Sequence, residues 1–436
     1  SLEDADHQIM TTATDTELQS FDGPRLLGTI LYDQQDRQSA RSVLGIIANL
    51  LEGAPRGWAT IMAGQFTNND GGVNSATSRL IPYIAGTNEE ILSHAAVLVL
   101  AELIGHMSSI VFCDSNVGTR NDATIVAFLQ SIGAALMSAM TGVATTCIAT
   151  ASVSAETTEI VFQSLSNFLK YIRPVINLHD SSKVREGATL IRDSLINTLA
   201  TSNGLGEVIV YYATVPASLG VVAKMEETIV DQSIAEQVVK EDDSDTVKKY
   251  GPWYSLSSEY KGHSSGANLS RNRVLDFLSN MKPSDFDLEG VQARGWMKGS
   301  SRSNGVATLD AAWASIRLLS EWASHVEDIA KTHIEVLPST EFPLADEAND
   351  LIKNLSPQRL LCTVAPTPIP CRADSRLAAM WKSLDISTFD LLLPYLHREE
   401  EKKDASLPVS IVLDLLNACI THATCLLYTS DAADDP

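Results

Sequence analysis

Between Lys248 and Arg302 the chain sets nine basic residues (Lys248, Lys249, Lys261, Arg271, Arg273, Lys282, Arg294, Lys298 and Arg302) against five acids (Glu259, Asp276, Asp285, Asp287 and Glu289). Tyr250, Trp253, Tyr254, Tyr260 and Trp296 stand among them, between glycines and serines. Lys and Arg neutralise phosphates, aromatic rings stack on unpaired bases, and glycines let backbone N–H groups approach a strand; together they suit sequence-independent binding of a single-stranded nucleic acid. Lys298-Gly-Ser-Ser-Arg302 places a cation at each end of a small-residue loop and is suited to cradle phosphates. A second, weaker cluster is Lys170, Arg173, Lys183, Arg185 and Arg192, which a helical fold could bring opposite the first across a groove. The candidate contacts are this cluster with Lys248, Lys249, Trp253, Tyr254, Lys261, Arg271, Arg273, Arg294, Lys298 and Arg302. The bland alternative is that these are solvated helix faces and loop charges.

Other chemistry is sparser. Gly262-His-Ser-Ser-Gly266 matches the hydrolase nucleophile pattern G-x-S-x-G, with His325, His333, His397 and Asp310 as conceivable partners. That pattern needs a buried apolar strand before the serine, and SLSSEYK precedes it here, so a polar loop is the expectation. His94 and His106 sit in apolar helical sequence and are expected to be structural; no HExxH, CxxC, P-loop or GxGxxG is present. No metal, no cofactor and no catalytic residue is expected, and a net charge of −22 means that any polyanion site is a local basic groove on an acidic body.

The elements that must hold such a groove read as helices. Ala123 to Ala155 runs thirty-three residues without a charge. Its length suggests a membrane span, yet Thr124, Gln130, Ser131, Ser138, Thr141, Thr145, Thr146, Thr150, Ser152 and Ser154 interrupt it, so a core helix with closely approaching neighbours is expected. Val43, Leu44, Ile46, Ile47, Leu50 and Leu51 read as one broad helical face. Thr87 to Glu90 reads as a capping box opening a helix through Ile104. Ile160, Val161, Leu165, Phe168, Leu169 and Ile172 form an amphipathic stripe that Pro174 is expected to close, and a further helix runs from about Lys183 to Ala200. Val208 to Tyr212, β-branched and before Pro216, is the one strand candidate. Trp313, Ile316, Leu319, Ala323, Val326 and Ile329 mark a later helix, and Leu384 and the 411–416 run mark short ones.

The predicted fold is all-α: two helical lobes with a groove between them and terminal arms. Residues 1–30 form an N-terminal arm, whose first 22 residues hold six acids and no Lys or Arg. Residues 31–240 form the first lobe and 241–396 the second, the two meeting near 241–251 just after an acidic run. Residues 397–424 form a C-terminal arm, apolar at 411–420. Residues 425–436, CLLYTSDAADDP, resemble a translated sequencing adapter and are expected to be a scar. The six cysteines show no framework of pairs, which fits a reducing compartment, and with no basic-plus-apolar run in the first residues given, export is not expected.

Two helical lobes, an acidic surface, a central basic and aromatic segment and arms at both ends resemble the nucleoproteins of non-segmented negative-strand RNA viruses. The nearest local match is YGPWYSLSSEYKG, Tyr250 to Gly262. The resemblance implies a protein that clamps single-stranded RNA between its lobes, assembles with itself through its arms, meets a viral phosphoprotein and polymerase, and resides in the virion and the host-cell cytoplasm. A helical capsid protein of a double-stranded RNA virus is similar in size and helix content. The serine hydrolase and a cellular helical scaffold are the readings from other classes.

Overall fold

The computed structural model describes residues 37–52, 80, 84, 90–112, 122–150, 155–202, 204–236, 271–286, 309–336, 351–362, 381–382, 384–396 and 411–415. About 91% of the described residues are helical and none form strands, so the chain is all-α. The helices are α1 (Arg37–Glu52), α2 (Glu90–Gly105), α3 (Met107–Val111), α4 (Asp122–Thr150), α5 (Ala155–Leu178), α6 (Ser182–Thr201), α7 (Leu205–Glu236), α8 (Arg271–Asn280), α9 (Leu309–Val336) and α10 (Gln358–Cys362). The chain forms two compact units, Ser1–Gly206 with Glu321–Ser356 and Glu207–Ser320 with Pro357–Pro436. Helix α9 is therefore shared, its first part in the second unit and Glu321–Val336 in the first. The expected lobe boundary at 241–251, the acidic arm and the adapter-like tail lie outside the described residues.

In the first unit α5 packs against α2, α3, α4 and α6, and α1 packs on α2. Val161, Phe162, Leu165, Phe168, Leu169, Ile172 and Val175 are buried along α5, at the three- and four-residue steps that place side chains on one helical face. Helix α4 contains the long uncharged stretch. Asp122–Ala144 is long and apolar enough to cross a membrane by length and composition, and just over half of its most apolar part is buried inside the protein. Phe128, Leu129, Ile132, Leu136 and Met140 are buried there.

Two glycines set the approach of α4 to α6. A Cβ on Gly133 would lie 2.8 Å from Ile191 Cγ2, and one on Gly187 would lie 3.0 Å from the Val126 methyls. Each helix thus lacks a side chain where the other presents a branched one, which is why small residues occupy these steps.

Three expectations are corrected. Val208 to Tyr212 is helical, inside α7. Val208, Ile209, Val210, Tyr212 and Ala213 are all buried, so the run is apolar around much of the helix, and a β-branched cluster of that kind does not distinguish a strand from a buried helix. Pro174 does not close α5, which continues to Leu178, nor does Pro216 interrupt α7. The apolar face of α1 is also narrower than expected: Val43, Leu44, Ile47 and Leu51 are buried, whereas Ile46 and Leu50 are exposed.

The second unit gathers an aromatic cluster. Tyr395, in the short 3-10 segment Asp390–Leu396, meets Trp313 edge-on at 4.8 Å and Phe286 at 5.8 Å between ring centroids. Ser387 and Asp390 cap that segment reciprocally: Ser387 N donates to Asp390 Oδ2 at 2.8 Å and Asp390 N to Ser387 Oγ at 3.2 Å. Val412 and Leu415, expected in a terminal arm, are buried.

Two outcomes test this packing. Gly133→Leu should destabilise the protein by roughly 1–3 kcal/mol through overpacking against Ile191, and Ile191→Ala should recover part of that loss, measured by urea denaturation followed by circular dichroism. Tyr395 is buried and its hydroxyl has no partner among the described residues, so Tyr395→Phe should shift stability by less than about 1 kcal/mol, whereas Tyr395→Ala should cost about 3–5 kcal/mol.

Candidate nucleic-acid interface

The described candidate cations divide by what holds them. Arg173, on α5, points its guanidinium at one face of α9. Its Nε donates to Asp328 Oδ2 at 3.0 Å, its Nη2 donates to Ser324 Oγ at 2.7 Å, and its Nη1 lies 3.7 Å from Glu321 Oε2. Residues 321, 324 and 328 share a face because they are spaced by three and four along the helix. Arg192 is buried on α6, with Nε and Nη2 each 2.8 Å from Asp193 Oδ1. Both arginines are thus engaged within the protein.

Lys170, Lys183 and Arg185 are exposed. Lys183 and Arg185 lie at the start of α6, where Ser181 caps the helix by accepting from Val184 N and donating to Asp122 Oδ2 at 2.6 Å. That bond ties the start of α6 to the start of α4. The helix dipole disfavours cations in a first turn and favours anions. A phosphate near Lys183 and Arg185 would therefore be favoured by both side chains and backbone.

In the second unit Arg271 opens α8, exposed, 3.8 Å from Asp385 and 3.9 Å from Asp390. Arg273 lies on the same helix. Lys248, Lys249, Trp253, Tyr254, Lys261, Arg294, Lys298 and Arg302 lie outside the described residues, as does Gly262-His-Ser-Ser-Gly266. The structure thus brings Arg173, Arg192 and the exposed Arg271 to carboxylates and leaves Lys170, Lys183 and Arg185 at the surface.

No protein family, no curated protein and no solved structure matches this chain.

Three of the described histidines tether helical segments to one another. His106 Nε2 donates to the Leu51 carbonyl at 3.0 Å, satisfying one of the acceptors left over at the end of α1, and His94 Nδ1 lies 3.0 Å from Thr157 Oγ1 on α5. Both sit as the sequence reading expected. His325, considered above as a hydrolase partner, is buried on α9 and donates from Nε2 to the Leu169 carbonyl at 2.8 Å. Among the described residues no group of three or more His, Cys, Asp or Glu side chains could hold a metal ion.

Sequence reasoning missed that Glu321, Ser324, His325 and Asp328 form a polar face for α5. The signal was present as polar residues at spacings of three and four inside an otherwise apolar helix. Their partner Arg173 stands about 150 residues earlier, however, and nothing local announces it.

Arg173→Gln should lower stability by about 1–2 kcal/mol, the range for charge-assisted bonds discounted for partial exposure, as measured by denaturant titration.

Proposed function

We propose that this chain is a viral nucleoprotein that assembles with itself and encapsidates single-stranded RNA independently of sequence. The observation that carries the reading is the basic and aromatic segment from Lys248 to Arg302 in a chain of net charge −22. A local reversal of charge that strong, interleaved with rings, suits phosphate neutralisation and base stacking together. The all-helical fold and the exposed cations Lys170, Lys183, Arg185 and Arg271 are consistent with it. On this reading the RNA lies in a groove between two lobes, the terminal arms link protomers, a viral phosphoprotein and polymerase are further partners, and the protein acts in the virion and the host cytoplasm. It performs no catalysis.

The engagement of Arg173 and Arg192 by carboxylates favours a second reading, a helical capsid protein of a double-stranded RNA virus, which needs no RNA groove.

Binding of fluorescent single-stranded RNA by anisotropy at several salt concentrations separates the two. The nucleoprotein reading expects affinity to fall steeply with salt, and removal of one contacting Lys or Arg to reduce the slope by about one. Lys298→Ala with Arg302→Ala should weaken binding to all sequences alike, and Trp253→Ala should cost roughly 1–3 kcal/mol. An intact, assembled protein that binds no RNA at low salt would favour the shell.

A further inference from the structure

His325 is the one strongly buried histidine among the described residues, 1% exposed, and its Nδ1 has no hydrogen-bond partner among them. The carbonyl of Leu169 can only accept, so Nε2 carries the proton and Nδ1 is bare. The acceptor lies in the turn of α5 before Pro174, one residue ahead of the Lys170 carbonyl that a Pro174 N–H would have served, so His325 adds a donor to this turn from outside without replacing the one that the proline removes.

The surroundings of the ring are cationic on one side and mixed on the other. From α5 it faces Arg173 as well as the Leu169 carbonyl, and from α6 it faces Arg192, itself paired with Asp193. From its own helix Asp328 opposes these cations, while Glu321 and Ser324 complete the face that Arg173 touches. Lys170 of α5 stands near Glu321. A proton added to Nδ1 would thus create a buried donor without an acceptor, beside two guanidinium groups. Either change alone disfavours the docked state.

We propose that His325 is an acid-released latch: protonation of its ring detaches the Glu321–Val336 part of α9 from α5 while the rest of the first unit stays folded. Burial, and then the Arg173 charge, hold the ring's pKa down at about 4, against 6.5 for a free ring. Between those values the released segment binds a proton that the docked one does not. Docking is therefore at full strength above about pH 6.5 and weakens as pH falls toward 4. Glu321 acts in the opposite sense. Burial raises its pKa despite the nearby Arg173 and Lys170, so the docked state takes up that proton more readily and part of the His325 effect is offset.

The test is amide hydrogen exchange by mass spectrometry on the full chain, with protection corrected for the intrinsic rate at each pH. In the parent, protection of 321–336 should fall about tenfold between pH 7 and pH 5, while α2 and α4 keep theirs, and in Glu321→Gln it should fall further. In His325→Gln, whose amide still donates to the Leu169 carbonyl but does not titrate, protection should not fall over that range, and proton uptake by Glu321 should raise it slightly. Parallel loss in parent and His325→Gln, simultaneous loss across α2 and α4, or no loss in the parent would each overturn the latch. If His325→Gln does not fold at pH 7, exchange of the ring Cε1 proton in the parent decides: titration well below 6.5 supports the latch, and titration near 6.5 overturns it.

Discussion

Helix α5 buries Val161, Phe162, Leu165, Phe168, Leu169, Ile172 and Val175 on a surface that α2, α3, α4 and α6 all reach, and those helices pack around it. Each such side chain withdrawn from water stabilises the fold by roughly 1.5–3 kcal/mol. The same geometry fixes where polar groups can go. A helix with so many neighbours has little free face, and Arg173 spends its guanidinium on Asp328 and Ser324 at the remaining approach.

Two of the helices carry an interior proline. Pro174 leaves the Lys170 carbonyl of α5 without its intrahelical donor, and one residue earlier the Leu169 carbonyl accepts from His325, far along the chain. In α7 the second interior proline, Pro216, is preceded by Thr214, whose hydroxyl donates back to Val210 O at 2.9 Å. In both helices side-chain donors serve carbonyls in the turns before the proline, one from outside the helix and one from within it. The first contact brings a titratable ring into the interior; the second brings only a hydroxyl.

The candidate site was legible in part. Lys183 and Arg185 are exposed near a helix start, as two charges flanking the buried Val184 suggest. Arg173 and Arg192 looked the same in the sequence, since a basic residue on an amphipathic helix carries no mark of its partner. Arg192 could have been questioned, because adjacent Asp193 offers a local pair, and the structure makes that pair while burying the arginine. Arg173 gave no such sign.

By itself the sequence determined the helical class, the stripe on α5, the start of α4, the reach of α6, and the structural placing of His94 and His106. Those follow from periodicity, capping and composition, which act over one or two turns. Only the tertiary structure decided that Val208 to Tyr212 is helical, that α5 passes Pro174, that Ile46 and Leu50 face outward, and that Arg173 meets Glu321, Ser324 and Asp328. The reason is common to all four. β-Branched runs, prolines and broad apolar faces leave a segment with more than one acceptable state, and the choice falls to partners that are distant in the chain and adjacent only after it has folded.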